Sequence, residues 1–249
     1  MVKNKVKKYM LLYGKKSIRE RLRQNPGSIQ KIFLQDNSNF EDLEKIIKLK
    51  KIPYEYISVR QIEQMKRAKN IQGIIARVND FKYTEYDLLL DKALKNRTTL
   101  VFLDRINDPQ NLGLIIRSLA CFGNFSIILP EKEACSVTEA VMHVAQGGEN
   151  HVLVSKASDL LAAIKIAGQK GYFIIGGVVD FKAKEISKAK LKFPLALVLG
   201  AETTGISSEI QKILNLQVFI PMQGAKLSLN VSMAATVFAY EIITQRDLI

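Results

Sequence analysis

From Thr98 onward, short and almost wholly apolar segments alternate with amphipathic ones, and this alternation constrains the fold more than any other feature of the chain. Six segments are predicted as strands: Leu100–Asp104, Phe125–Leu129, His151–Ser155, Tyr172–Val179, Leu195–Leu199 and Val218–Pro221. Five are predicted as helices: Leu112–Phe122, Val137–Ala145, Asp159–Gln169, Ser208–Leu214 and Val231–Gln245. Strands that are apolar along their whole length are buried on both faces. The alternation therefore predicts an α/β fold with a parallel sheet covered on both sides.

The first 80 residues predict a separate and smaller α/β unit. A basic amphipathic helix at 14–24 is stopped by an Asn-Pro-Gly sequence. A second helix lies within Phe40–Lys51, and the predicted strands are Lys31–Gln35, Tyr54–Ser58 and Gly73–Val78. The polar residues that follow have little periodicity. We therefore predict a first domain at 1–80, a linker at 81–97 and a second domain at 98–249.

Positive charge is concentrated in the first of these domains. The whole chain has a net charge of +13, and residues 1–80 contain 19 Lys and Arg against 8 Asp and Glu. A domain this basic attracts polyanions, because Lys and Arg that contact phosphates release counterions. The alternative is a lysine-rich surface that only solvates the helices.

Several classes of function lack the sequence features that they require. No apolar run is long enough for a membrane span, and the N-terminus lacks the apolar region of a signal peptide, so we expect a cytoplasmic protein. Neither Cys121 and Cys135 nor His143 and His151 have companions at metal-ligand spacing, and no metal site is expected. There is no glycine-rich dinucleotide or P-loop motif, and 176–177 (Gly-Gly) is interpreted as a tight turn.

The first segment with functional potential runs from a predicted strand into a helix at residues 103–123. Asp108 is placed to cap that helix, with Pro109 in its first turn. Arg117 is the only charged residue among the apolar ones that follow, and burying it requires a partner unless its head reaches solvent. Asn111 lies at the strand-to-helix turn, where open parallel sheets bind ligands, although it could also be a simple turn residue.

Two further segments follow predicted strands in the same way. In the second, at 195–210, Gly200 would let the backbone approach a ligand closely, and Glu202 is a candidate partner for an arginine, with a surface acid as the alternative. In the third, at 218–242, Ser228 and Asn230 point to the same side of an extended chain. Asn230 could also merely cap the long helix that follows it.

Together these segments resemble the SpoU (TrmH) family of RNA 2′-O-methyltransferases, within the SPOUT superfamily. The matching motifs are N-D-P-Q-N-L-G-x-x-x-R-S at 107–118, L-G-A-E-x-x-G-I-S at 199–207 and I-P-M-x-G-x-x-x-S-L-N-V-S at 220–232. Upstream, Tyr13-Gly14 and the segment 71–76 are similar to the start and the linker motif of the family. The chain departs from the family at Ile71 and near Lys16, where the family has histidines. The subgroup that it most resembles methylates guanosine in 23S rRNA and has an N-terminal domain like ribosomal protein L30e.

The resemblance implies a fold, a cofactor and an assembly. It implies a C-terminal domain with a deep trefoil knot, preceded by an L30e-like domain that binds RNA. It implies S-adenosylmethionine as methyl donor, without a metal, held mainly by backbone groups. It also implies a homodimer whose active site lies near the subunit interface. The residues that match the cofactor-binding positions are Gly200, Ala201, Ile220, Met222 and Leu229.

The same resemblance indicates Arg117 as the group that activates the ribose hydroxyl. Because a guanidinium hardly ever loses its proton, we expect Arg117 to stabilise the developing alkoxide and to grip the adjacent phosphate instead. Asn111 and Ser228 would orient the ribose, Asn230 would support the cofactor loop, and Glu202 would hold Arg117. Two alternatives stay open at this point, namely methylation of tRNA and a non-catalytic RNA-binding or ribosome assembly factor.

Overall fold

The computed structural model describes residues 9–67, 71–180, 182–225 and 227–246, and in this part of the chain it contains two β-sheets. The basic residues 1–8 and Lys226, in the loop after the last predicted strand, lie outside the described residues. In the described part, no helix is both long and apolar enough to cross a membrane.

The smaller sheet comes from the first 78 residues and has four strands in the order β1-β4-β2-β3. Its elements are β1 (Met10–Tyr13), α1 (Lys15–Gln24), β2 (Ile29–Gln35), α2 (Glu41–Leu49), β3 (Tyr54–Ile57), α3 (Val59–Met65) and β4 (Ile74–Val78). β4 pairs antiparallel with β1 and β2, and β2 pairs parallel with β3. The predicted helices and strands of this unit are confirmed. The sequence patterns missed β1 and α3, which are only four and seven residues long.

The larger sheet has seven strands in the order β7-β6-β5-β10-β8-β11-β9, and every pairing in it is parallel. Its strands are β5 (Thr99–Asp104), β6 (Phe125–Pro130), β7 (Leu153–Ala157), β8 (Phe173–Gly177), β9 (Lys184–Glu185), β10 (Leu195–Gly200) and β11 (Leu216–Phe219). The helices are α4 (Tyr86–Lys95), α5 (Pro109–Phe122), α6 (Glu139–Ala145), α7 (Leu160–Gln169), α8 (Ser208–Gln211) and α9 (Val231–Arg246). The predicted mixed α/β class with a parallel sheet is confirmed.

Helix α4 lies within the segment that we predicted as a linker. Leu89, Leu90 and Ala93 are buried on one face of it and pack in one cluster with Leu100 and Phe102 of β5. The apolar residues occur at the spacing of a single helical face, although polar residues surround them. This part of the predicted linker therefore packs with the larger sheet.

The glycine pair 176–177 does not form the tight turn that we predicted. Both residues lie at the end of β8, and a Cβ atom at Gly177 would approach a ring carbon of Phe238 to 2.7 Å. The lack of a side chain at Gly177 lets α9 pack closely on the sheet. Gly177 also lines a cavity at the carboxyl edge of the large sheet.

Polar contacts join the two sheets within the chain. The backbone N–H of Leu11 donates to Glu139 Oε1 at 2.8 Å. Arg21 on α1 forms an ion pair with Glu149 at 2.9 Å, and both side chains are almost completely buried. The half of the chain that carries most of the charge is therefore attached to the parallel-sheet half through buried polar groups.

Candidate active site

The three segments singled out from the sequence meet beyond the carboxyl ends of β5 and β10, which are neighbours at the centre of the large sheet. The first of them turns into α5 through Asp108, whose side chain accepts a hydrogen bond from the N–H of Gln110 at 2.9 Å, as predicted for a cap. The carboxyl edge of a parallel sheet is where ligands bind in open α/β folds.

One residue from each segment contributes to a small polar network at this edge. The amide nitrogens of Asn111 and Asn230 both donate to Glu202 Oε1, at 2.9 Å and 2.5 Å. The amide nitrogen of Asn230 also lies 2.9 Å from the side-chain oxygen of Asn111. Glu202 therefore ties the second segment to the first and third, and each asparagine keeps a defined orientation.

Asn230 also has the capping role that we considered as its alternative. Its side-chain oxygen accepts hydrogen bonds from the backbone N–H and the hydroxyl of Ser232, at the start of α9. An asparagine can do both, because its oxygen accepts while its nitrogen donates. The two interpretations of Asn230 were therefore not exclusive.

Arg117 does not have the environment that its place in the sequence predicted. Its side chain is exposed on α5, and among the described residues it has no ion-pair partner. Glu202 is engaged with Asn111 and Asn230 instead, so the expectation that Glu202 holds Arg117 in place is wrong for this chain. α5 packs one flank against α9, through Ser118 and Thr236 at 2.8 Å, and leaves the Arg117 flank open to solvent.

A cavity of about 400 Å³ opens beside the network, between the ends of β8, β10 and β11 and the start of α9. Glu202 and Ser228 line this cavity. All five residues predicted to bind the cofactor line it as well: Gly200, Ala201, Ile220, Met222 and Leu229. Neither Arg117 nor Asn111 is among its lining residues. Its size lies within the usual range of small-molecule sites.

The loop after β10 owes its shape to glycine and to two residues that we did not single out. A Cβ atom at Gly200 would collide with the backbone of Gly205, because the loop folds back on itself there. Asp104, at the end of β5, accepts from the backbone N–H of Ser207 at 2.8 Å, and Arg105 donates to the carbonyl of Gly205 at 3.2 Å. The sequence signal that could have identified Asp104 and Arg105 is their position at the carboxyl end of an apolar strand.

Asp104 and Arg105 also bind each other. Arg105 Nε lies 3.0 Å from Asp104 Oδ1, and this contact raises the pKa of the Arg105 guanidinium above its ordinary value. The Arg105 guanidinium therefore stays charged while it holds the loop. Neither histidine takes part in the site: His143 stacks on Tyr13, and His151 bonds to Glu20. The described residues include no group of three or more His, Cys, Asp or Glu that could hold a metal ion.

Comparisons with known proteins point to one family. Residues 98–240 match the family model described as the SpoU rRNA Methylase family, and residues 11–84 match a model described as RNA 2′-O ribose methyltransferase substrate binding. The chain is 32% identical to the 23S rRNA (guanosine-2′-O-)-methyltransferase RlmB of Acinetobacter baylyi, over 94% of this chain and 96% of the relative. It is 37% identical to an uncharacterized tRNA/rRNA methyltransferase of Synechocystis over 75% of this chain, and it spans 49% of that relative.

The fold also agrees with solved structures. The crystal structure of the SpoU methyltransferase AviRb from Streptomyces viridochromogenes, in complex with AdoMet, superposes with a TM-score of 0.79 over 97% of this chain and 92% of AviRb, at 18% identity. The match to a methylase model over residues 98–240 and to a substrate-binding model over residues 11–84 defines the class of the protein as an RNA methyltransferase. The chain belongs to the SpoU rRNA methylase family. It is an RNA ribose 2′-O-methyltransferase, and its methyl donor is S-adenosylmethionine.

Proposed function

We propose that the chain methylates the ribose 2′-hydroxyl of a guanosine in 23S rRNA, in the cytoplasm. The observation that carries the proposal is the convergence of Asn111, Glu202 and Asn230 beside a cavity of suitable size, together with a net charge of +11 on the first 80 residues. The similarity to RlmB over almost the whole length favours ribosomal RNA. In this proposal residues 1–80 are an RNA-binding domain, 81–97 connect it, and 98–249 carry the chemistry.

The cavity has the lining that S-adenosylmethionine requires. Leu199, Ile206 and Phe238 provide apolar walls for a flat ring system, and Glu202 and Asp180 add carboxylates for the positively charged groups of the ligand. Backbone groups around Gly200, Ala201, Ile220, Met222 and Leu229 would hold the ligand. We further propose that the chain around these loops forms the knot of the SPOUT superfamily.

Bound there, S-adenosylmethionine supplies a methyl carbon that is open to attack by a ribose oxygen. The residues of the chain have to align that oxygen and stabilise its developing negative charge. Ser228 lines the cavity and is placed to orient the ribose. Asn111 would orient it from the side of α5, and Asn230 and Glu202 would keep the loops in register through their hydrogen bonds.

Arg117 would act from the RNA side of the site. Its guanidinium is exposed on α5, six residues after Asn111, and is free to grip the phosphate next to the target ribose and to stabilise the alkoxide. Replacing Arg117 with alanine should remove methyl transfer and leave binding of S-adenosylmethionine unchanged. Near-normal turnover with unchanged RNA binding would contradict this role.

We propose in addition that the chain forms a homodimer through α5 and α9. Large apolar side chains are exposed on α5, on α9 and in the loop just before α9, and all of them are at least 36% exposed: Leu114, Leu229, Met233, Val237 and Tyr240. An exposed apolar patch next to a site is typical of a subunit interface. In this arrangement Arg117 lies at the interface. Val237→Lys should give a monomer in sedimentation analysis, and a dimer of unchanged stability would exclude this surface.

The function is tested by mapping 2′-O-methylated positions in the RNA of cells with and without the gene. The proposal predicts that one guanosine in 23S rRNA loses its methyl group. Loss of a methyl group from tRNA alone would establish the alternative substrate. No change, together with no binding of S-adenosylmethionine to the purified chain, would favour a non-catalytic RNA-binding factor.

A further inference from the structure

A second, smaller pocket lies where the two sheets meet, away from the cavity at the carboxyl edge. Its volume is about 180 Å³. Its walls come from both halves of the chain: Tyr13, Gly14, Lys16, Ser17 and Gln72 from the first, and His143 and Gln146 from the second. A ligand bound here would contact both halves at once.

Several polar groups in this pocket lack a partner. Ser17 is only 2% exposed, yet its hydroxyl has no hydrogen-bond partner among the described residues. The Nδ1 atom of His143 is also buried, and it has no hydrogen-bond partner among the residues that the structure describes. The Ser17 hydroxyl therefore has its hydrogen-bonding capacity free at the wall of the pocket, where a ligand can use it.

The start of α1 adds donors to the same pocket. The N–H of Lys15 donates to Gln72 Oε1 at 2.8 Å, whereas the N–H groups of Lys16 and Ser17 have no acceptor among the described residues. The first turn of α1 contains no acidic residue and no side-chain cap. A helix start with free N–H groups attracts negative charge.

The N–H groups at the start of α1 are donors and the neighbouring side chains are cationic, so the pocket suits an anion. Lys16 lines the pocket, and Arg19 lines a neighbouring depression that shares Lys16 and Gln72 with it. The nearby carboxylates are already engaged, Glu139 with Lys66 and the N–H of Leu11, and Glu20 with His151. A volume of this size suits a phosphate group better than a whole nucleotide.

We propose that this pocket binds one backbone phosphate of the substrate RNA and thereby sets the distance between the bound RNA and the reaction site. The proposal rests on the proposed function, because it assumes an RNA substrate. His143 belongs to α6, and α6 packs so closely on α5 that a Cβ atom at Gly113 would lie 2.6 Å from Val144. α5 also carries Asn111 and Arg117. The close contact between α6 and α5 therefore connects a phosphate held in the pocket to these two site residues.

The test compares Lys16→Gln and Ser17→Ala with the matched control Lys15→Gln. Lys15 is the preceding residue and loses the same charge, but its ammonium lies over the Phe40 ring, at 4.8 Å, and does not line the pocket. The probe is the shortest transcript from 23S rRNA that the wild-type chain binds. It is prepared unmodified and as a series in which single phosphates are replaced by neutral methylphosphonates.

We expect Lys16→Gln and Ser17→Ala each to raise the Kd for RNA about tenfold, the cost of one charge-assisted hydrogen bond. The KM for RNA should rise while kcat at saturating RNA stays unchanged, because the pocket positions the RNA and does not touch the reacting atoms. One methylphosphonate position should weaken binding to the wild-type chain and to Lys15→Gln. The same position should have no effect on the Lys16→Gln/Ser17→Ala double variant.

Identical Kd values for Lys16→Gln and Lys15→Gln, with the same methylphosphonate profile in all variants, would overturn the proposal. Thermal unfolding and S-adenosylmethionine binding, measured on each variant, identify any general loss of structure. RNA binding is measured separately from methyl transfer. A wild-type chain that binds the RNA without methylating it would refute the proposed function. Equal Kd values for Lys16→Gln and Lys15→Gln would refute only the phosphate pocket.

Discussion

The larger and the smaller sheet differ in where they carry their polar groups. In the larger sheet all strands are parallel, so the loops after β5, β10 and β11 leave the same edge, and Asn111, Glu202 and Asn230 meet there. In the smaller sheet the strand directions are mixed, and much of its positive charge lies on α1. A parallel sheet collects side chains from distant parts of the sequence at one point. The mixed sheet supports a charged surface, which suits binding to an extended polyanion.

The largest expected effect tests whether the network at the parallel edge serves catalysis or only caps a helix. Asn230→Asp keeps the cap, because aspartate caps as well as asparagine. It removes the donor to Glu202 and adds a second carboxylate beside it. Methyl transfer should fall by roughly 100-fold or more, the usual effect of losing a positioned group in a site. The melting temperature should also fall, because the two carboxylates repel each other, so cofactor binding and unfolding are measured beside turnover. Normal turnover would mean that Asn230 only caps α9.

The second prediction concerns the buried connection between the two halves. Glu149→Ala leaves Arg21 buried without its carboxylate, which should cost about 3–5 kcal/mol in the free energy of unfolding. The control is Glu55→Ala, which breaks the exposed pair with Lys31 and should cost less than about 1 kcal/mol. Urea unfolding measures both. Equal costs would show that the two halves do not depend on the buried pair.

The third prediction separates the two halves by their contribution to RNA binding. Replacing Arg19 and Arg23 on α1 with glutamine should lower the slope of log Kd against log salt concentration by about 0.7–0.9 for each lost phosphate contact. Replacing Lys165 and Lys170, which are exposed on and next to α7, removes the same charge from the other half. That double variant should leave the slope almost unchanged. Equal slopes for both variants would mean that RNA binding is not confined to the basic domain.

The smallest expected effect is a pH dependence in the parallel-sheet half. Burial raises the pKa of Tyr172 from 10.0 to about 12, and its hydroxyl donates to the carbonyl of Thr98 at 3.1 Å. A raised pKa means that the folded chain keeps the Tyr172 proton up to a higher pH than the unfolded chain does. The stabilisation is complete below pH 10 and is lost as the pH rises from 10 to about 12. Tyr172→Phe should flatten this part of the stability curve, and an unchanged slope would assign the effect to other groups.

The sequence predicted the larger sheet better than the smaller one, for physical reasons. Strands such as β5 and β10 are buried on both faces and are apolar at nearly every position, so the pattern alone marks them. β1 and α3 are too short to show a period, and α4 has an apolar face of only a few residues within a polar segment. Element ends were also displaced: β11 begins at Leu216, two residues before the predicted Val218.

The site was predictable in its residues and less so in its contacts. Motif spacing identified Asn111, Glu202 and Asn230, and the structure brings all three within hydrogen-bond distance. The pairing of Glu202 with Arg117 was wrong, because the direction in which a helical residue points depends on how α5 packs against α9. Asp104 was missed because its partner, the N–H of Ser207, lies 103 residues away in the sequence.

The central claim is that the cavity at the carboxyl edge of the parallel sheet is where the methyl donor binds. A crystal structure of the full chain with S-adenosylmethionine tests it most directly. The ligand should lie between Gly200, Ile220 and Leu229, with its methyl group facing Ser228. Full occupancy at any other position, with this cavity empty, would contradict the account.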